Sequence, residues 1–353
     1  MKKISRETSI EILSKYRTEL MAIGIILVII CHSTVYFPKS YRQIYSILRQ
    51  FCQIGVDIFM FLSGIGIYYS LSMSSNKIKF YKKRLLRILI PYIVVLLLWG
   101  IAQYFHNTTG GIIGFIYSYS LITFFLRGDM SEWYIAALIP LYTLAPCLVL
   151  YINRRKNNIK VLILIIFIIS LLFILCGYLL EGTKYKKAFL IVNELMVIRI
   201  PLYIVGMYFG KLLNEKKVIN IDMKKNYLIL CVGLILFFMN TIIFPGQKLY
   251  FSQWYLTRII FSIICIPMLL LIGHRIDFIK KDKRINHYLT YIGTITLELY
   301  LVHVKIRSYL DSFISQNFVE SFLVNIAAVV LAFLVAELVR RIVKRISCFF
   351  NRL

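Results

Sequence analysis

The residues of this sequence best suited to chemistry are a histidine and two carboxylates set inside apolar runs. His32 lies in ELMAIGIILVIICHS (19–33), Asp57 in GVDIFMFLSGIGI (55–67) and Glu298 in TITLELYLVHV (294–304). An ionisable side chain at membrane depth costs roughly 2.5 to 3.5 kcal/mol on insertion scales, so each is a functional candidate by default. Imidazole, with an unperturbed pKa of about 6.5, suits removal of a proton from a hydroxyl near neutrality, provided a carboxylate such as Asp57 orients its other nitrogen. The plainer reading of His32 is an interhelical hydrogen bond, and that of Asp57 is a structural cap or ion pair. His303, near the outer end of its apolar run, is equally suited to solvation at the headgroup level. His106, His274 and His287 fall in loops or at the ends of runs, where a structural role is favoured.

A second pattern is basic. Lys82-Lys83-Arg84-Leu85-Leu86-Arg87 precedes Pro91, and Arg84 and Arg87 are spaced i, i+3, so on a helix both guanidinium forks project from one face. That geometry suits bidentate recognition of phosphates, although plain charge anchoring at a membrane surface explains the same residues. The chain contains no GxxxxGK[ST], HExxH or GxSxG pattern. Gly64-Ile65-Gly66 superficially resembles a phosphate loop, but inside an apolar run it more simply permits close helix packing.

The elements that must position these residues are membrane helices. Of 353 residues, 59% are hydrophobic and only 16% charged, which excludes an ordinary water-soluble domain. Dividing the apolar runs at polar or Pro/Gly breaks predicts an all-α polytopic bundle of ten helices. They cover approximately 19–37, 51–72, 86–105, 132–152, 160–180, 194–213, 227–244, 254–273, 287–305 and 320–340. Residues 106–131 read as a surface or re-entrant segment. Ten crossings put both termini on one side with alternate loops, and 30 of the 42 Lys and Arg residues fall there, against 12 on the other. Both termini are therefore expected in the cytoplasm. The net charge of +26 is spread between apolar runs, which points to anionic lipid headgroups rather than nucleic acid. The seven cysteines show no C-x-x-C spacing and read as reduced core residues, with no metal site. The basic amino terminus lacks a small-residue cleavage site, so the first apolar run is expected to be retained. The organisation expected is a cytoplasmic basic segment (1–18), a membrane domain (19–340) and a basic cytoplasmic tail (341–353). With these ranges, His32, Asp57 and Glu298 share one layer, roughly 8 to 11 Å below the outer boundary.

Six blocks in order carry a resemblance: ELMAIGIILVIICHS, GVDIFMFLSGIGI, FYKKRLLRILIPY (80–92), WYIAALIPLYTLAP (133–146), RIPLYIVGMYFG (199–210) and TITLELYLVHV. Together they resemble the signature blocks of the acyltransferase 3 family, integral-membrane enzymes that modify carbohydrates and other hydroxyl acceptors. The resemblance spans nearly the whole chain. It implies a ten-helix domain that takes an acyl group, usually acetyl, from cytoplasmic acyl-CoA and gives it to an acceptor reached from the outer face. By the same resemblance the essential first-helix histidine is His32, and the R-x-x-R pair is Arg84 and Arg87. Many members carry an Arg eleven residues before the histidine; here that position is Met21, and Arg17 lies one turn further out.

The expectation is an O-acyltransferase in the plasma membrane, acting on a cell-envelope carbohydrate, exopolysaccharide or lipid-linked glycan, with acyl-CoA as donor and no metal. His32 is the expected general base, with Asp57 or Glu298 as orienters and direct attack on the thioester. A Cys31 acyl-enzyme is disfavoured because adjacent helical positions point about 100° apart. The alternatives are a proton-coupled transporter or exporter, built on the buried carboxylates and histidine, and a catalytically inert scaffold.

Overall fold

A computed structural model describes residues 7–73, 76–105, 114, 116–117, 120–154, 159–217, 219–243, 253–279, 283–311 and 317–350. The expected all-helical bundle is what the chain forms. In order the helices are α1 (Glu11–Lys15), α2 (Arg17–His32), α3 (Lys39–Cys52), α4 (Ile54–Ser72), α5 (Lys77–Phe105), α6 (Ile122–Arg127), α7 (Trp133–Asn153), α8 (Ile159–Leu179) and α9 (Tyr185–Leu195). They continue with α10 (Ile200–Asn214), α11 (Met223–Ile243), α12 (Gln253–Ile279), α13 (Lys283–Thr294), α14 (Thr296–Asp311) and α15 (Phe318–Phe350). Among the described residues eight stretches are long and apolar enough to cross a membrane, and α2 and α14, at 16 residues each, pack among them. The protein is a multi-pass membrane protein. Its lipid-facing helices are recognisable by composition: the α8 stretch has a mean hydropathy of 3.2 and leaves Leu164, Ile165, Ile168 and Leu172 exposed.

Four predicted ranges are redrawn, the sixth (194–213) because α9 ends at Leu195, a 3₁₀ turn covers Val197–Arg199 and α10 starts at Ile200. The first ends at His32, because Ser33 turns extended and the chain runs to Pro38, whose ring disfavours helix in the residue before it. The second begins only at Ile54: the residues before it form α3, a separate amphipathic helix that exposes Tyr41, Ile44 and Leu48 on one face. The ninth is broken at Ile295, which separates amphipathic α13 from α14. Within 106–131, residues 120–127 and the left-handed Gly128 form a short helix with its cap, while His106 and residues 107–113 lie outside the described residues. α15 runs on to Phe350, through much of the range assigned to a tail.

Helix packing centres on α4, whose first three turns are almost wholly buried. A Cβ on Gly64 would stand 2.2 Å from the Tyr203 carbonyl oxygen, and one on Gly206 2.2 Å from that of Phe61, so α4 and α10 touch backbone to backbone. Gly66 serves differently: a Cβ there would strike the Arg17 guanidinium at 2.4 Å. Among the described residues the β structure is one antiparallel ribbon of Glu7–Ser9 with Asn220–Asp222. The ribbon, with Lys15 Nζ and the Tyr16 hydroxyl at 2.5 and 2.6 Å from Asp277 Oδ1, fastens the start of α2 to α11 and α12.

Candidate active site

His32 is the last residue of α2, and the chain after it is held firmly. Arg49 Nε donates to the Cys31 carbonyl at 2.9 Å, Ser33 Oγ hydrogen-bonds the Tyr45 hydroxyl at 2.7 Å, and Arg307 Nη2 and Asn325 Nδ2 each donate to the Thr34 carbonyl at 2.9 Å. The Cys31 carbonyl at the helix end is thus met by a cation, in keeping with its dipole, and the Thr34 carbonyl beyond the helix by a cation and an amide. His32 itself is exposed, into a cavity of about 960 Å³ whose wall also includes Cys31, Trp133, Glu194, Arg199 and Arg258.

The partner of His32 is His303 on α14, with ring centroids 5.0 Å apart and planes at 71°. His303 Nδ1 faces the Leu299 and Tyr300 carbonyls at 2.9 and 2.8 Å, so it carries the hydrogen and leaves a lone pair on Nε2. His32 Nδ1 lies 2.8 Å from the Val28 carbonyl and 3.3 Å from that Nε2, so it too carries its hydrogen. In the neutral ring the lone pair of His32 is then on Nε2, the nitrogen that a proton acceptor needs free.

Neither carboxylate expected to orient His32 does so. Asp57, in the first turn of α4, pairs with Arg199 at 3.2 Å, and both side chains are fully buried. The physical reason is charge: a buried carboxylate gains far more from a guanidinium than from a neutral imidazole. Arg199 also donates Nη1 to the Glu194 and Leu195 carbonyls at 3.0 and 2.7 Å and lies 5.5 Å from the Trp133 ring centroid. Arg258 joins the same layer, with Nη2 donating to Gln53 Oε1 at 2.6 Å and to Glu194 Oε1 at 3.3 Å. Glu298 departs further from the expected layer. Because the helix restarts at Thr296, it sits in the first turn of α14, about 8 Å along the axis from His303, and its charged neighbours are Arg87, Arg340 and Glu337.

Arg84 and Arg87 do share a face. With Arg17 they line a second, smaller pocket of about 70 Å³ together with Phe59, Tyr142 and Leu297. Arg84 Nη2 donates to the Gly66 carbonyl at 2.9 Å and Arg17 Nε to that of Leu62 at 3.0 Å, one helical turn apart on α4. Three guanidinium groups thus converge with no carboxylate lining the pocket, an arrangement suited to a multiply charged anion. Along α5, Arg87 is about 18 Å from Trp99, which lines the larger cavity. Tyr300 lines both spaces.

The residues that sequence reasoning passed over are Arg199, Arg258 and Glu194. All three fall inside predicted apolar spans, so the rule that singled out His32 applies to them equally. The sequence leaves His303 evenly balanced between a functional role and solvation at the headgroup level, and its contact with His32 depends on how α2 and α14 meet, which no spacing reveals.

No curated protein and no solved structure matches the chain. The family model described as an acyltransferase domain matches residues 20–340, from the second turn of α2 to well within α15. The six ordered blocks and this match over nearly the whole length agree: the chain is an enzyme of the acyltransferase 3 family.

Proposed function

We propose that this enzyme is an O-acyltransferase of the plasma membrane, transferring an acyl group, expected to be acetyl, from cytoplasmic acyl-CoA to a hydroxyl of a cell-envelope carbohydrate, exopolysaccharide or lipid-linked glycan. The observation that carries the reading is His32: an exposed imidazole at the wall of a large cavity, with Nδ1 facing the Val28 carbonyl and His303 Nε2, which leaves Nε2 of the neutral ring to accept a proton. In the reaction, Nε2 removes the acceptor's hydroxyl proton as the oxygen attacks the thioester carbonyl carbon. Collapse of the tetrahedral intermediate breaks the C–S bond, and the departing CoA sulfur takes the proton back from His32. Val28 and His303 keep the ring in the required tautomer, as the third member of a triad does. Trp133 and the guanidinium layer of Arg199 and Arg258 border the same space and favour negative charge developing on the carbonyl oxygen. The three arginines of the smaller pocket hold the phosphates of CoA, with Arg17 standing in for the family arginine replaced by Met21.

The test is thiol release from acetyl-CoA by purified protein in lipid nanodiscs, with and without His32→Ala. A fall of about a hundredfold or more with acyl-CoA binding retained is expected, because general base catalysis contributes 10² to 10⁴. Near-normal turnover in the variant would end the assignment. Mass spectrometry of envelope glycans with and without the gene identifies the acceptor.

A further inference from the structure

The two cavities meet at a pair of tyrosines. Tyr300 on α14 lines both, Tyr134 at the start of α7 lines the arginine pocket, and its neighbour Trp133 lines the larger cavity. The Tyr134 and Tyr300 rings lie 5.2 Å apart at 58°, and Phe59 closes the next position at 6.1 Å from Tyr134. The Ser63 and Thr296 side chains line the arginine pocket beside these rings. The Tyr300 carbonyl in turn accepts from His303 Nδ1, the ring that contacts His32.

We infer that Tyr134 and Tyr300 form an aromatic gate between the donor pocket and the catalytic cavity, and that the gate restricts the donor to short acyl chains. The inference rests on the acyl-CoA reading above. If the arginines hold the phosphates, the thioester end must pass between these rings to reach His32. The space on the arginine side is only about 70 Å³, against about 960 Å³ beyond, so the narrow part of the path is the part the acyl chain enters first. Its lining is mixed: the three guanidinium groups, Ser63 and Thr296 make it polar, while Phe59, Leu138 and Leu297 add apolar surface beside the tyrosines. In such a passage each additional methylene must displace a ring, and a single methylene in an apolar site changes kcat/KM by roughly 10- to 200-fold.

The experiment compares kcat/KM for acetyl-, butyryl- and hexanoyl-CoA in the parent, Tyr300→Ala, Tyr134→Ala and the corresponding phenylalanine variants. The parent is expected to prefer acetyl-CoA by at least tenfold over hexanoyl-CoA. Both alanine variants should reduce that ratio at least tenfold, while the phenylalanine variants, which keep the ring, should hold it. Leucine in place of alanine, still smaller than tyrosine, serves if an alanine variant fails to fold. An unchanged ratio in active alanine or leucine variants overturns the gate, as does a parent that uses hexanoyl-CoA as well as acetyl-CoA. A parent that uses no acyl-CoA overturns the donor reading itself and the gate with it, so the two failures are told apart by the parent alone.

Discussion

His303→Ala tests whether the second histidine positions the first. His303 supplies one of two acceptors for His32 Nδ1–H, the other being the Val28 carbonyl. Removing it leaves the Val28 bond at 2.8 Å, so the tautomer survives while the ring is freed on one side. A hydrogen bond of this kind has a net value of about 0.5 to 1.5 kcal/mol, which corresponds to a fall in kcat of about two- to thirteenfold. The KM for acyl-CoA should not move, since the arginine pocket is untouched. His303 is also 5% exposed, so its truncation should lower thermal stability, but that loss does not predict the kinetic pattern. His303→Gln, whose amide oxygen can accept a hydrogen bond, should recover part of kcat. In a His32→Ala background, His303→Ala should have no further effect on the residual rate, because a positioning residue acts only through what it positions. Thiol release by the four members of this cycle, with melting temperatures alongside, decides the matter. Equal losses in both backgrounds, or unchanged kcat in folded His303→Ala, would refute the reasoning.

Arg17→Ala, Arg84→Ala and Arg87→Ala should each raise the KM for acyl-CoA by about 12- to 150-fold, the loss of one charge-assisted hydrogen bond of 1.5 to 3 kcal/mol, with lysine rescuing partly; unchanged KM in all three would make them topological anchors. Asp57→Asn should destabilise the fold by about 3 to 5 kcal/mol, because it leaves Arg199 buried without its counter-charge, and Asp57→Leu with Arg199→Met should recover much of the loss in a thermal melt. If Asp57→Asn instead lowers turnover in proportion to His32→Ala at unchanged melting temperature, Asp57 orients the base after all. Reporters fused after Arg154 and Lys217 should lie in the cytoplasm and one after Glu181 outside, and the reverse or a mixture overturns the charge-based orientation.

Helix positions and the two candidate regions could be read from the chain because both follow from local pattern. Apolar length marks a crossing helix, and i, i+3 spacing is enough to put Arg84 and Arg87 on one face. What could not be read depends on breaks and on neighbours. Glu298 was placed in the catalytic layer because 287–305 is continuously apolar enough to pass for one helix; the break at Ile295 shifts it toward the arginine side. Asp57 has the right depth to orient His32, but Arg199, 142 residues away, takes it. His303 presents the converse: its position near the end of an apolar run suits solvation as well as chemistry, and only the packing of α14 on α2 gives it a partner.

The backbone contact between α4 and α10 has a mechanical consequence. Two helices in backbone contact at Gly64 and Gly206, with Gly210 a turn further on closed against Tyr68 and the Phe61 and Phe209 rings 5.4 Å apart, behave as a single stiff plate. Arg17 and Arg84 are bolted to that plate through the Leu62 and Gly66 carbonyls, and Asp57 ties Arg199 to it. Any displacement that widens the passage between the cavities must therefore fall to the opposite wall. There α14 begins after the Ile295 break and carries both Tyr300, which lines the two cavities, and His303, which touches His32, so the two rings share one rigid helix.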